Sequence, residues 1–143
     1  MSSNSLHYHY VVPGDDFTQA GKASSAVKQI LKQLGFNPQT IRKMSISLYE
    51  GEINMVIHAG GGEIDVDIDD EKITAVLTDR GPGIEDVELA MQDGWSTASE
   101  QVRGLGFGAG MGLPNMKKYS DELKIDTEVG KGTTVTIVVK LAS

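Results

Sequence analysis

At 143 residues, with 39% hydrophobic and 23% charged side chains, the chain has room for one packed core and the composition of a soluble globular domain rather than a disordered or membrane-embedded one. The absence of cysteine excludes a disulfide framework and a thiolate metal site, and 20 acidic against 13 basic residues, a formal net charge of −7, argue against nucleic acid as a partner. Glycine is in excess at 17 residues, and eight of them (Gly81, Gly83, Gly94, Gly104, Gly106, Gly108, Gly110 and Gly112) fall in one segment.

Leu6 to Val12 is rich in β-branched and aromatic residues and is stopped by Pro13-Gly14, which predicts a first strand. From Ala20 to Leu34 the apolar residues Ala23, Ala26, Val27, Ile30, Leu31 and Leu34 recur at helical spacing, ending at Gly35. Asn37-Pro38 starts a second helix that runs through Ile41, Met44, Leu48 and Met55 to about Ala59, where Gly60-Gly61-Gly62 stops it. Ile64, Val66 and Ile68 then alternate with Asp65, Asp67 and Asp69, a strand with one apolar and one acidic face. Asp70-Glu71-Lys72 turns the chain into a partner strand, Ile73 to Thr78. A short helix around Glu85 to Met91 and an irregular stretch from Gln92 to Ala109 follow. Leu113 to Tyr119 is predicted helical, and Leu123 to Glu128 and Thr133 to Leu141 form two closing strands around Gly130-Lys131-Gly132. Hairpins beside helices in this order predict an α+β fold: a two-layer sandwich with a mixed, mostly antiparallel sheet and its helices on one face. No linker or repeat divides it, so residues 1–143 read as a single domain. No apolar run reaches bilayer length and no export signal is visible, so the expected location is cytoplasmic, with no membrane partner.

Several familiar chemistries are missing. The acidic run Asp65 to Asp69 lacks the glycine and the terminal acid of a calcium loop, since Asp70 and Val76 occupy those positions, and it reads as a solvated strand face. No Gly-Lys pair is followed by Ser or Thr, so there is no phosphate-binding loop of that kind. Gly104-Leu105-Gly106-Phe107-Gly108-Ala109 matches a dinucleotide pattern, but no strand precedes it.

Three segments carry the chemistry that remains. Glu50, Asn54 and His58 lie four apart on the second helix and form a polar stripe. Gly51 beside them costs about 1 kcal/mol relative to alanine within a helix, which points to close approach by another element or by a ligand. Asp79-Arg80-Gly81-Pro82-Gly83 leaves a strand, where an aspartate can accept a hydrogen bond from an exocyclic amine and glycine lets the backbone approach a flat ring; an ordinary turn is the competing reading. Gly108-Ala109-Gly110-Met111-Gly112-Leu113-Pro114 opens a helix, and backbone N–H groups there make an anion site that needs no basic side chain.

In sequence, Glu-x-x-x-Asn, Asp-x-Gly-x-Gly, Gly-x-Gly and Gly-Lys-Gly-Thr-Thr resemble the N box, the two glycine boxes and the terminal Gly-Thr element of the GHKL, or Bergerat, ATP-binding family. The resemblance spans about Ser45 to Val139. The compact length looks like the bacterial anti-sigma-factor serine/threonine kinases of partner-switching systems.

That resemblance implies ATP and Mg²⁺ as cofactors. It implies that Asn54 coordinates Mg²⁺ and that Glu50 is the general base. Asp79 would receive the adenine amine, with Gly81, Gly83 and Thr133 around the base. Gly108, Gly110, Met111, Gly112 and Leu113 would surround the phosphates under a lid of about Asp93 to Ala109, and Arg103 would steady the γ-phosphate. His58 matches a histidine of some members. The implied partners are a small antagonist protein and a sigma factor, with a possible homodimer. The implied activity is phosphorylation of the antagonist. A nucleotide-dependent binding module with little phosphotransfer, or a simple ATPase, are the alternatives.

Overall fold

Residues 5–14, 20–81 and 112–141 are described by the computed structural model. In them the period-2 segments become β1 (Leu6–Pro13), β2 (Gly61–Ile68), β3 (Lys72–Thr78), β4 (Glu122–Glu128) and β5 (Gly132–Lys140). The segments of helical spacing become α1 (Lys22–Gln33), α2 (Pro38–Ala59) and α3 (Gly112–Tyr119). The strands form one sheet in the order β1-β2-β3-β5-β4. Each of its four ladders is antiparallel, so no parallel pair occurs among the described residues and the sheet is simpler than the mixed one expected. The expected short helix at 85–91 and the stretch 92–109 lie outside the described residues.

The ends of α2 follow local rules. Asn37 accepts a hydrogen bond from the Thr40 backbone N–H at 2.7 Å, Pro38 takes the first turn, and Gly60 closes the helix with a left-handed φ of 72°. At α1 the N-cap is Gly21, which brings no side chain to the exposed N–H groups, and the helix begins at Lys22 rather than at Ala20. Leu34, placed on the apolar stripe by its spacing, is instead exposed just past the end of α1.

The inward rows Ile64, Val66 and Ile68 on β2, Ile73, Ala75 and Leu77 on β3, and Val135, Ile137 and Val139 on β5 are buried beneath Val27 and Leu31 of α1, Met44, Leu48, Met55 and Val56 of α2, and Leu113 and Met116 of α3. Burying such side chains stabilises by about 1.5–3 kcal/mol each, which is what seats the helices on one face. The acidic row of β2 faces the other way. It is not merely solvated: His7 and Asp67 are 2.7 Å apart, and His9 and Asp65 are 2.8 Å apart. The hydrogen bond to Asp67 pushes the His7 imidazole up. Among the described residues no helix is long and apolar enough to cross a membrane.

Candidate functional site

Beside the C-terminal end of α2, the end of β3 and the start of β5 are tied together. At the end of β3, Asp79 is tied to β5 by its own N–H, which donates to the Thr133 carbonyl at 2.9 Å. Its carboxylate Oδ1 accepts from the Gly81 N–H at 3.0 Å and the Thr133 N–H at 3.1 Å. Oδ1 thus holds the turn, and among the described residues no group donates to Oδ2. The turn reading and the binding reading of Asp79 are therefore compatible. Close packing accounts for the glycines around it. A Cβ on Gly132, whose φ is +130°, would stand 2.2 Å from the Asp79 carbonyl oxygen, and a Cβ on Gly81 would stand 2.6 Å from Ala59 of α2. Thr133 is buried, and its hydroxyl is 2.9 Å from that of Thr127.

Along α2 the polar stripe runs back from Ala59 through Asn54 to Glu50, both half-buried. At 1.5 Å per residue, Glu50 lies roughly 13 Å along the helix axis from the Ala59 end that meets Gly81. Burial pushes the Glu50 carboxyl up, opposed by a hydrogen bond from Asn115 of α3, whose Nδ2 donates to Oε1 at 3.5 Å. A carboxylate held partly out of water in this way is a stronger base than an exposed one.

The glycine beside it has a structural explanation. A Cβ on Gly51 would stand 2.6 Å from Leu77 Cδ2 and 3.3 Å from Met116 Sδ, so the close approach expected there comes from the sheet and α3, not from a ligand. Gly112 begins α3, and Leu113 turns into the core. Arg103, Gly83, Gly108, Gly110 and Met111, together with the lid of 93–109, lie outside the described residues, as does the side chain of His58.

Two contributors were missed in the sequence. Glu52 is 1% exposed, and its carboxylate accepts from the backbone N–H groups of Gly21 (2.9 Å), Ala23 (3.2 Å) and Ser24 (2.8 Å) and from the Ser24 hydroxyl (2.6 Å). It supplies from α2 the cap that Gly21 cannot. Its signal was present, because Glu52 falls on the apolar stripe, four residues from Leu48 and four from Val56, where an unpaired carboxylate is costly. Asn115 carried no comparable signal.

The donor set suits a Mg–nucleotide. Asp79 Oδ2 can accept an amine, and Asn54 can give one oxygen to a hard cation that takes the rest of its shell from phosphates and water. Among the described residues no three acidic or imidazole groups are close enough to cage a metal.

A family model described as a histidine kinase-like ATPase domain matches residues 15–139. The chain is 29% identical over 115 residues to the serine/threonine-protein kinase RsbT of Bacillus subtilis, covering 78% of this chain and 80% of that one. It is 36% identical over 118 residues to an anti-sigma F factor of Caldanaerobacter subterraneus, covering 79% of each. Among solved structures, the RsbU and RsbW domains of Rv1364c from Mycobacterium tuberculosis superpose with a TM-score of 0.59 at 18% identity, covering 99% of this chain and 33% of that one, so this chain spans about a third of that protein's length. The mycobacterial sensor histidine kinase MprB gives 0.53 at 18% identity, covering 95% and 98%. These two likenesses establish the fold alone.

Proposed function

The chain belongs to the histidine kinase-like ATPase family, and from that membership we propose that it is a Mg-ATP-dependent protein serine/threonine kinase and anti-sigma regulatory factor that phosphorylates a small antagonist protein in a partner-switching module. The observation that carries the reading is Glu50: a half-buried carboxyl pushed up by burial, on the same helix face as Asn54. A protein that only held a nucleotide would have no use for such a base. The names of the relatives, a serine/threonine-protein kinase and anti-sigma F factors, support the same reading.

In this mechanism Asp79 Oδ2 accepts from the adenine amino group while Oδ1 keeps the turn in place. Thr133 and Gly81 shape the base pocket. Asn54 would hold Mg²⁺, which when bound would neutralise charge on the phosphates. Gly112, at the start of α3, offers its backbone N–H to the phosphates, the role the sequence also assigns to Gly108 and Gly110. Glu50 takes the proton of an incoming serine or threonine hydroxyl as that oxygen bonds to the γ-phosphorus and the bond to the ADP leaving group breaks. A regulator of this kind, consuming ATP and holding a sigma factor, works in the cytoplasm.

The test is transfer of labelled γ-phosphate from Mg-ATP to the antagonist protein recovered from the source cell. Transfer to serine or threonine is expected, with a loss of about 10²–10⁴-fold in Glu50→Ala. Undiminished transfer in that variant would remove Glu50 from the mechanism. No transfer by the intact chain, with the partner still retained differently in ATP and ADP, would make it a nucleotide-dependent binding module.

A further inference from the structure

Glu50 and Asn115 are 65 positions apart and meet only because α2 and α3 pack side by side. Among the described residues Asn115 is the one side chain that donates to the Glu50 carboxylate. We propose that Asn115 is a positioning residue for the base: its amide holds Oε1 of Glu50, turns Oε2 toward the incoming hydroxyl, and ties the base to the helix that leaves the glycine-rich phosphate segment. This rests on the reading of Glu50 as general base.

The geometry supports it in three ways. Asn115 lies in the first turn of α3, which begins at Gly112, so it sits on the turn whose N–H groups lack partners within the helix and to which the proposed function brings the phosphates. Its neighbours Leu113 and Met116 are buried, which fixes the rotation of α3 and points the half-buried Asn115 at α2. Its amide is a neutral donor, so it orients the carboxylate and opposes the upward push of burial without adding a positive charge that would weaken the base further. The separation of 3.5 Å is long for a hydrogen bond, and bonds to catalytic bases tighten when substrate is bound. Phosphates drawing in the first turn of α3 carry Asn115 with it, which couples nucleotide binding to the base.

Carbon-13 carboxyl NMR on the full chain, wild type, Asn115→Leu and Asn115→Asp, follows the titration of Glu50 directly and needs no acceptor protein. The Glu50 midpoint is expected to move up in Asn115→Leu, which keeps the size and loses the donor, and further up in Asn115→Asp, which adds a like charge. Phosphotransfer at neutral pH should fall about tenfold in Asn115→Leu through kcat, with KM for ATP unchanged and the acid limb of the kcat profile moving with the NMR midpoint. A residue that only filled space would leave both the midpoint and the limb in place. If both stay at their wild-type positions in the two variants while transfer still depends on Glu50, this inference fails alone. If transfer does not depend on Glu50 but the midpoint still moves, the base assignment fails and the Asn115–Glu50 coupling stands.

Discussion

Glu50 and Glu52 stand two residues apart on α2 and meet opposite surroundings. Glu52 accepts from four donors on Gly21, Ala23 and Ser24 at the N-terminal end of α1, so hydrogen bonds at the positive end of a helix compensate its carboxylate. Glu50 is half-buried and, among the described residues, its carboxylate has one long hydrogen bond, so its charge is poorly compensated there. The two should therefore separate stability from activity. Glu52→Ala strands three backbone N–H groups and the Ser24 hydroxyl, and is expected to cost about 3 kcal/mol in urea unfolding. Glu50→Gln is expected to abolish most phosphotransfer while raising stability. The sign follows from linkage. A carboxyl with a raised folded pKa binds its proton more tightly in the folded state, so its ionisation erodes stability as the pH rises from the ordinary glutamate range through the raised value. The advantage of Glu50→Gln should thus be present at neutral pH and shrink to nothing as the pH falls through that window. An advantage that persisted unchanged below it would mean that the gain has another cause.

At the scale of elements, α2 is the part to which the rest of the site is referred. At Gly51 it packs tightly against Leu77 of the sheet and Met116 of α3, and two effects compete there. Replacing glycine by alanine in a helix gains about 1 kcal/mol, while a Cβ must displace Leu77 Cδ2 from 2.6 Å inside a filled core. Only the ends of two flexible side chains, the Leu77 methyl and by a few tenths of an ångström the Met116 sulfur, have to yield, so Gly51→Ala is expected to change stability by less than about 1 kcal/mol in either direction. Gly51→Val has no such room and should cost about 1–3 kcal/mol, with kcat falling as α2 is pushed away from α3 and Glu50 from Asn115. Urea melts and single-turnover transfer on the two variants check this, and an equal loss in both would show that the methyl cannot yield. These elements also show how far periodicity reads. The strands, the three helices and the Asn37, Pro38 and Gly60 signals were legible because they depend on neighbours within a few residues. The start of α1 was not, because its cap arrives from Glu52, 28 to 31 positions away.

For the whole molecule, nucleotide binding is a stability statement. A ligand that binds only the folded state stabilises it by about 2.7 kcal/mol at a hundred times its Kd, so Mg-ATP is expected to raise the melting temperature by several degrees. Asp79→Asn should lose most of that rise while the free protein melts near the wild-type temperature. The amide oxygen can still accept from Gly81 and Thr133, but the amide nitrogen would confront the adenine amine donor to donor. A large fall in the melting temperature of the free variant would make Asp79 a structural residue first.

The sequence by itself determined the alternation that makes the strands, the amphipathic helices, the glycine-and-proline punctuation and the ordered boxes that resemble an ATP-binding family, because each is written in short-range spacing. Only the tertiary structure decided that β5 lies between β3 and β4, that one oxygen of Asp79 is spent on Thr133, 54 positions away, and that Glu50 faces Asn115, 65 positions away. The physical reason is that burial, which sets the strength of a base or the need for a cap, depends on which distant surfaces exclude water. No local period encodes that.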